Sequence, residues 1–303
     1  MEFLQDFSAN YGIAERASPL ITRVLCENPS PYTYTGTGTY LVGHENELAV
    51  IDPGPLNMAH GKAILEAIDG RTLSHILVTH THIDHSPLAT WLSEQTGTPT
   101  YAFSAHGAGR EGGLAGKTVE AGADLNFKPD NLLADGDTIK GTDWTLTAYH
   151  TPGHTSNHMC YMLEEENTVF VGDHIMGWAT SVVAPPDGDM RAYLNSLKKV
   201  AALNPDKLVP AHGPWIEKPK PFIRGIITHR RMREGQILKL LGEAGALTIT
   251  ALVERMYKDL DPRLKGAAAQ SVLGHMIALL DEKRVECDNS VLFSGNYSLG
   301  KAS

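Results

Sequence analysis

Residues 78–86 read V-T-H-T-H-I-D-H-S and place four metal-type donors, His80, His82, Asp84 and His85, within six positions. The run just before it, SHILVT (74–79), is apolar and rich in strand formers, so the donors stand where a predicted strand ends. On extended backbone alternate side chains point the same way, which aims His80 and His82 at one ion. Asp84 and His85 then turn into a helix predicted over 86–95 and can face a second ion. A single histidine on a strand is ordinarily a hydrogen-bonded core residue. Four donors packed this tightly would each need a separate partner if buried. Imidazole with carboxylate suits zinc and also tolerates iron or manganese.

Working outward, more donors follow the ends of later predicted strands. His154 lies in TPGHTSNH (151–158) after DWTLTAYH (143–150), Asp173 in VFVGDH (169–174), and His212 in VPAHG (209–213). In an α/β sheet the residues just past strand ends converge on one edge. The seven donors then divide into His80, His82 and His154 for one ion and Asp84, His85 and His212 for the other, with Asp173 bridging. Such a set leaves a coordination position open for water, the mark of a catalytic rather than a structural site.

Elsewhere strands alternate with helices. ELAVID (47–52), TPTYAF (98–103), HMCYML (158–163), NTVFVG (167–172) and KLVPA (207–211) read as strands. Residues 58–69 and 190–203 read as helices, the latter with Asp189 as N-cap. This alternation predicts an α/β sandwich. Two stretches read as loops near the site: 105–130, a glycine-rich lid, and 175–188, which brings Trp178 to the substrate. Beyond residue 217 the pattern becomes helical over 223–241, 247–257 and 261–283, with a hairpin over 284–297. Three helices followed by a hairpin is a winged-helix order. The expected domains are therefore 1–217, catalytic, and 218–303, winged-helix-like.

The chain has 303 residues, 42% hydrophobic and 20% charged, which excludes disordered and collagen-like classes. No run reaches the roughly 18–20 apolar residues that a membrane-spanning helix needs. The start, MEFLQDFSANYG, lacks a basic segment followed by an apolar one, so no secretory signal is expected. Cys26, Cys160 and Cys287 have no CxxC spacing and read as reduced thiols of a cytoplasmic protein. The net charge of −9 is split unevenly. Residues 218–303 carry 14 Lys and Arg against 9 Asp and Glu, a net of +5, while 1–217 carry 12 against 26, a net of −14.

The order HTHIDH, GHT, GD, AHG over residues 47–213 resembles the metallo-β-lactamase superfamily. That resemblance implies an αβ/βα sandwich of four layers. It also maps the aspartate of the superfamily's first motif onto Asp52 in IDPG (51–54), a residue that supports the metal loops without binding metal. NPSPYTYTGTGTYLVG (28–43), APPDGDMRAYLNSL (184–197) and ITHRRMREGQIL (227–238) are similar to the lactamase-β-like-2 branch. This branch carries a C-terminal winged-helix-like domain and includes a single-strand-specific endoribonuclease.

Two divalent ions can share a hydroxide and lower its pKa toward neutrality for attack on a carbonyl or phosphoryl centre. Asp84 can accept a proton while binding metal. His158, four residues after His154, is a candidate proton donor to the leaving group. His174 reads as core because it points away from Asp173 on extended backbone. His44, His60, His75, His106, His150, His229 and His275 read as surface or core. Three functions compete. The first is a dinuclear metal-dependent hydrolase acting on a small acyl substrate (an ester, thioester or lactone). The second is an endoribonuclease contacting RNA phosphate through Arg230 and Arg233, i,i+3 neighbours on a predicted helix. The third is a winged-helix interaction module on an inactive metal domain, a segment that can also pair two copies in a homodimer. The intact set of seven donors argues against the third, and the −14 charge of the catalytic segment argues against the second, which leaves the first.

Overall fold

Alternating strands with both faces buried sort their side chains into separate layers, and the sheets here are built that way. A computed structural model of the chain describes residues 2–108, 122–289 and 292–300. Seven strands, β1 (Ala14–Arg16), β2 (Ile21–Leu25), β3 (Gly38–Val42), β4 (Glu47–Ile51), β5 (Thr72–Leu77), β6 (Thr100–Ala102) and β7 (Asn131–Leu132), form one sheet in chain order. Pairing is antiparallel as far as β4 and parallel from β4 onward. Five more, β8 (Thr138–Lys140), β9 (Thr145–His150), β10 (Met159–Leu163), β11 (Thr168–Gly172) and β12 (Lys207–Pro210), form a second sheet in the order β12-β11-β10-β9-β8.

In β10, Met159, Tyr161 and Leu163 face the core between the sheets, while Cys160 and Met162 face the opposite side. In β4, Ala49 and Ile51 face the same central core, and Leu48 and Val50 turn outward. The outward sides are covered by helices. On the first sheet lie α1 (Met58–Ile68) and α2 (Pro87–Thr96), through Ile64, Leu88 and Leu92. On the second lie α3 (Met190–Ala202) and the first half of α4 (Pro219–Ala244), through Tyr193, Leu197, Ile223 and Ile226. This is the expected four-layer sandwich. Each large side chain buried in it contributes roughly 1.5–3 kcal/mol relative to exposure. The Asp189 carboxylate caps α3 as expected, accepting from the backbone N–H of Arg191 and Ala192.

The strands β1 to β3 lie ahead of the predicted series. Their sequences, such as ITRVL in β2, mix polar and apolar residues too evenly to alternate visibly. At the other end, α4 continues into a separate core through Ile237 and Leu241. There it packs with α5 (Ile249–Met256), α6 (Lys265–Asp281) and a small sheet of β13 (Ala246–Leu247), β14 (Val285–Cys287) and β15 (Tyr297–Leu299), ordered β13-β15-β14. This is the winged-helix-like unit. One 26-residue helix thus serves both cores, and the change of core falls between Ile226 and Ile237. Among the described residues no helix is long and apolar enough to cross a membrane.

Candidate metal centre

The strand β5 runs out at Leu77, and the loop after it holds four of the donors. Asp52, at the end of β4, fixes that loop by accepting from the Thr79 N–H and the Thr79 hydroxyl, both at 2.7 Å. The backbone of Asp52 has φ 49°, a left-handed conformation that an L side chain adopts only under constraint. From the other side, Ile83 N–H donates to Gly122 O and Asp124 N–H to Thr81 O, each at 2.9 Å. The Asp124 carboxylate also accepts from Ser86 Oγ at 2.7 Å, at the start of α2. Residues 109–121 of the expected lid lie outside the described residues.

The donors converge in two groups, His80 with His82 and His154, and Asp84 with His85, Asp173 and His212. In the first, His82 Nδ1 lies 2.9 Å from His80 Nε2 and 3.2 Å from His154 Nε2. In the second, His212 Nε2 lies 3.2 Å from both Asp84 Oδ2 and Asp173 Oδ1. His85 Nε2 is 3.6 Å from Asp84 Oδ2 and 3.5 Å from Asp173 Oδ1. The other oxygen of Asp173 lies 3.8 Å from His154 Nε2, so one carboxylate faces both groups.

What stands behind each imidazole decides which nitrogen faces inward. His154 Nδ1 lies 2.6 Å from Val182 O, and His212 Nδ1 lies 3.1 Å from Gly36 O. A carbonyl oxygen only accepts, so each Nδ1 carries the proton and each Nε2 presents a lone pair to the centre. His85 Nδ1 donates to Asp52 Oδ2 at 2.9 Å with the same result. For His80 the outer partner is the Thr79 hydroxyl at 3.0 Å, which is itself committed to Asp52.

The groups fit a pair of cations. Nε2 of His85, Nε2 of His212 and Oδ1 of Asp173 are buried and form no well-directed hydrogen bond among the described residues, although donor and acceptor types stand within 3.5 Å of one another. Burial, together with the imidazoles of His85, His82 and His154, holds His80 well below the ordinary histidine range and so neutral, the form that binds metal. Burial would also lower His212, but Asp173 and Asp84 hold it up at about 10. Burial would raise both carboxyls, yet the facing imidazoles of His85 and His212 keep them ionised. The positive charge that the two carboxylates draw from protons on His85 and His212 is charge that a divalent ion would supply in their place, leaving each Nε2 lone pair free to bind it.

The remaining expected residues divide. Trp178 stacks on Tyr34, ring centroids 5.0 Å apart at 18°, beside Gly213 next to His212. His174 is buried against Tyr193 with ring centroids 5.0 Å apart, in the core as expected. The role expected of His158 is corrected. Its ring is 0% exposed and packs behind His80, centroids 5.1 Å apart. Its Nδ1 meets Thr151 Oγ1 at 2.9 Å, and its Nε2 points at Gly172, so neither nitrogen reaches a leaving group. Burial and the neighbouring His174 and His154 also keep it uncharged.

A second correction concerns Arg230. It is 3% exposed, its guanidinium lies over the Tyr193 ring at 5.2 Å, and it donates to Ser181 O. A side chain turned inward in this way does not form the exposed basic face that a polymer backbone such as RNA requires. Arg233 is half-buried over Tyr257 at 4.5 Å. Gly36, Thr79 and Asp124 were not among the expected site residues. Of these, Gly36 carried the readable sign, a glycine (φ 136°) in TGTG where any Cβ would lie 2.1 Å from Cys26 O.

The fold and the two donor groups define a metal-site hydrolase of the αβ/βα class. The chain belongs to the metallo-beta-lactamase superfamily, whose family model matches residues 34–212. The model of the beta-lactamase associated winged helix domain matches residues 248–291. A beta-lactamase-like protein 2 homolog from Caenorhabditis elegans is 30% identical, over 85% of this chain and 83% of its own. An atrochrysone carboxyl ACP thioesterase from Cryptosporiopsis is also 30% identical, over 88% of this chain and 81% of its own. The solved structure of a beta-lactamase domain protein from Burkholderia ambifaria superposes with a TM-score of 0.79 at 19% identity, covering 97% of this chain and 96% of that one. This last likeness is one of fold.

Proposed function

We propose that this chain hydrolyses acyl thioesters, using two divalent cations held by His80, His82 and His154 on one side and Asp84, His85 and His212 on the other, with Asp173 shared. Zinc is the ion that this donor set suits best, with iron and manganese as alternatives. The observation that carries the reading is the carboxylate of Asp173, whose two oxygens face the two groups. Cations bound there supply Lewis acidity, which acidifies water and polarises a carbonyl.

The protein's own groups do the rest. Asp84 has the most exposed side chain of the second group, at 21%, so it faces the side from which water and substrate arrive. It orients the attacking water and takes its proton. The water oxygen bonds to the thioester carbon, the C–S bond breaks, and the proton passes to the departing thiolate. Asp52 keeps His85 and the Thr79 turn in register while this happens. The stacked pair Tyr34 and Trp178 forms an apolar wall beside His212, suited to an acyl group. A relative that is named as a thioesterase supports the choice among acyl substrates. The three cysteines are free, in keeping with a reducing, cytoplasmic setting.

The test offers the metal-loaded protein a panel of thioesters, esters and lactones beside a single-stranded RNA, with and without chelator. Chelator-sensitive thioester turnover with intact RNA is expected. RNA cleavage without thioester turnover would overturn the assignment.

A further inference from the structure

Four of the described arginines have an acid within reach, the first being Arg23 with Glu15. Arg191 pairs with Asp281, Arg263 with Asp261 and Arg284 with Glu234. Arg230 and Arg233 pair with no carboxylate among the described residues, although Arg230 is among the most buried cations of the molecule. Burying a guanidinium without a counter-ion is costly, and its presence calls for a reason.

Their surroundings repeat the pattern. His229 precedes Arg230 on α4, and His275 on α6 is 4% exposed. Arg230 Nε, Arg233 Nε, His229 Nδ1 and His275 Nε2 are all buried and lack hydrogen-bond partners among the described residues. Burial first, and then the two guanidiniums, push the imidazoles down, His275 to about 3 and His229 to about 4. Four cationic or donor-bearing side chains therefore crowd one place, their charge uncompensated. The place is the seam between the domains, with Tyr193 of α3 on one side and Tyr257 after α5 on the other. His229 and Arg233 are only half-buried and give the cluster an opening.

We propose that Arg230, Arg233, His229 and His275 form a second binding site, specific for a phosphate-class oxyanion, at the seam between the sandwich and the winged-helix-like unit. Guanidinium forks present paired donors to such an anion, and imidazole N–H groups complete its shell. The site is linked to the metal centre through one short stretch of chain. Arg230 holds Ser181 O, and the next residue, Val182, holds His154. Adjacent Cα atoms are about 3.8 Å apart, so the two sites brace neighbouring residues of one loop.

The experiment titrates the full-length, metal-loaded protein with inorganic phosphate and follows binding by calorimetry, in wild type and in Arg233→Gln. Saturable binding is expected, weakened roughly ten-fold or more in the variant, as befits loss of a charge-assisted contact. Phosphate seated on the metals would survive that substitution, so unchanged affinity in Arg233→Gln overturns the proposal, as does no binding in wild type. If Arg233→Gln does not fold, His229→Asn replaces it under the same criteria. A second arm rests on the thioesterase reading and assigns the source of the anion. It compares KM for a thioester bearing a phosphate with KM for its dephosphorylated counterpart. A lower KM for the phosphorylated form in wild type, erased in Arg233→Gln, makes the anion part of the substrate. Equal KM values beside intact phosphate binding support the site as one for free phosphate.

Discussion

Asp173 Oδ1 lies 3.2 Å from His212 Nε2, while the second oxygen of the same carboxylate points to His154 at 3.8 Å. One side chain at the end of β11 therefore joins donors delivered by three other loops. Replacing it with asparagine keeps the size and removes the shared charge. Asp173→Asn is expected to lower turnover by about 100-fold or more, beyond the usual cost of losing an outer partner. Its circular dichroism should stay that of wild type. Near-normal turnover would show that the carboxylate is not shared between ions.

Asp52 belongs to neither group of donors, yet it holds Thr79 and, in the second group, His85. Asp52→Ala should weaken metal binding by roughly 10- to 100-fold while leaving all seven donors in place. Competition with a chromophoric chelator measures this. Wild-type affinity would mean that the loop keeps its shape without the carboxylate.

Gly172 has φ 46°, and a Cβ there would stand 2.7 Å from both His158 Nε2 and Thr79 Oγ1. Gly70 also has positive φ (72°), but nothing lies within 4 Å of its Cβ position. Gly70→Ala should therefore cost about 1 kcal/mol, from backbone conformation alone. Gly172→Ala adds overpacking worth about 1–3 kcal/mol and disturbs the Thr79 turn. Thermal melts of the two variants compare them. Equal losses would place His158 and Thr79 out of contact with this position.

His60 is buried beside Thr39 Oγ1 at 2.8 Å, and burial pushes it down to about 4 from 6.5. The unfolded chain thus binds a proton that the folded chain refuses between these values. Stability contributed by neutral His60 is full above pH 6.5, falls as pH drops, and is gone below about 4. The loss is on the order of 1–3 kcal/mol. Denaturant melts across this range should show a shallower acid slope for His60→Gln than for wild type. Parallel slopes would mean that His60 titrates alike in both states.

The gathering of the seven donors was largely legible because they are dense in sequence and fall at strand ends, where backbone direction fixes where they go. His80 and His82 needed only alternation, and His154, Asp173 and His212 only their place after β9, β11 and β12. The misreadings share one physical cause, which is that sequence spacing does not say which side of an element is covered. His158 has the spacing of a site residue, but the turn that leads into β10 buries it behind His80. Arg230 and Arg233 have the look of an exposed basic face, but α4 is roofed by Tyr193 and α6 at that point. The strand β1 escaped because it is short and largely exposed, and β3 because it is buried on both faces, so neither shows a period of two.

Metal stoichiometry against activity tests the central claim most directly. Chelator-treated protein would be titrated with zinc while bound metal per chain and thioester hydrolysis are followed together. The account predicts two ions per chain at saturation, with full turnover reached only as the second site fills. Full turnover at one ion per chain, or turnover untouched by removal of all metal, would contradict it.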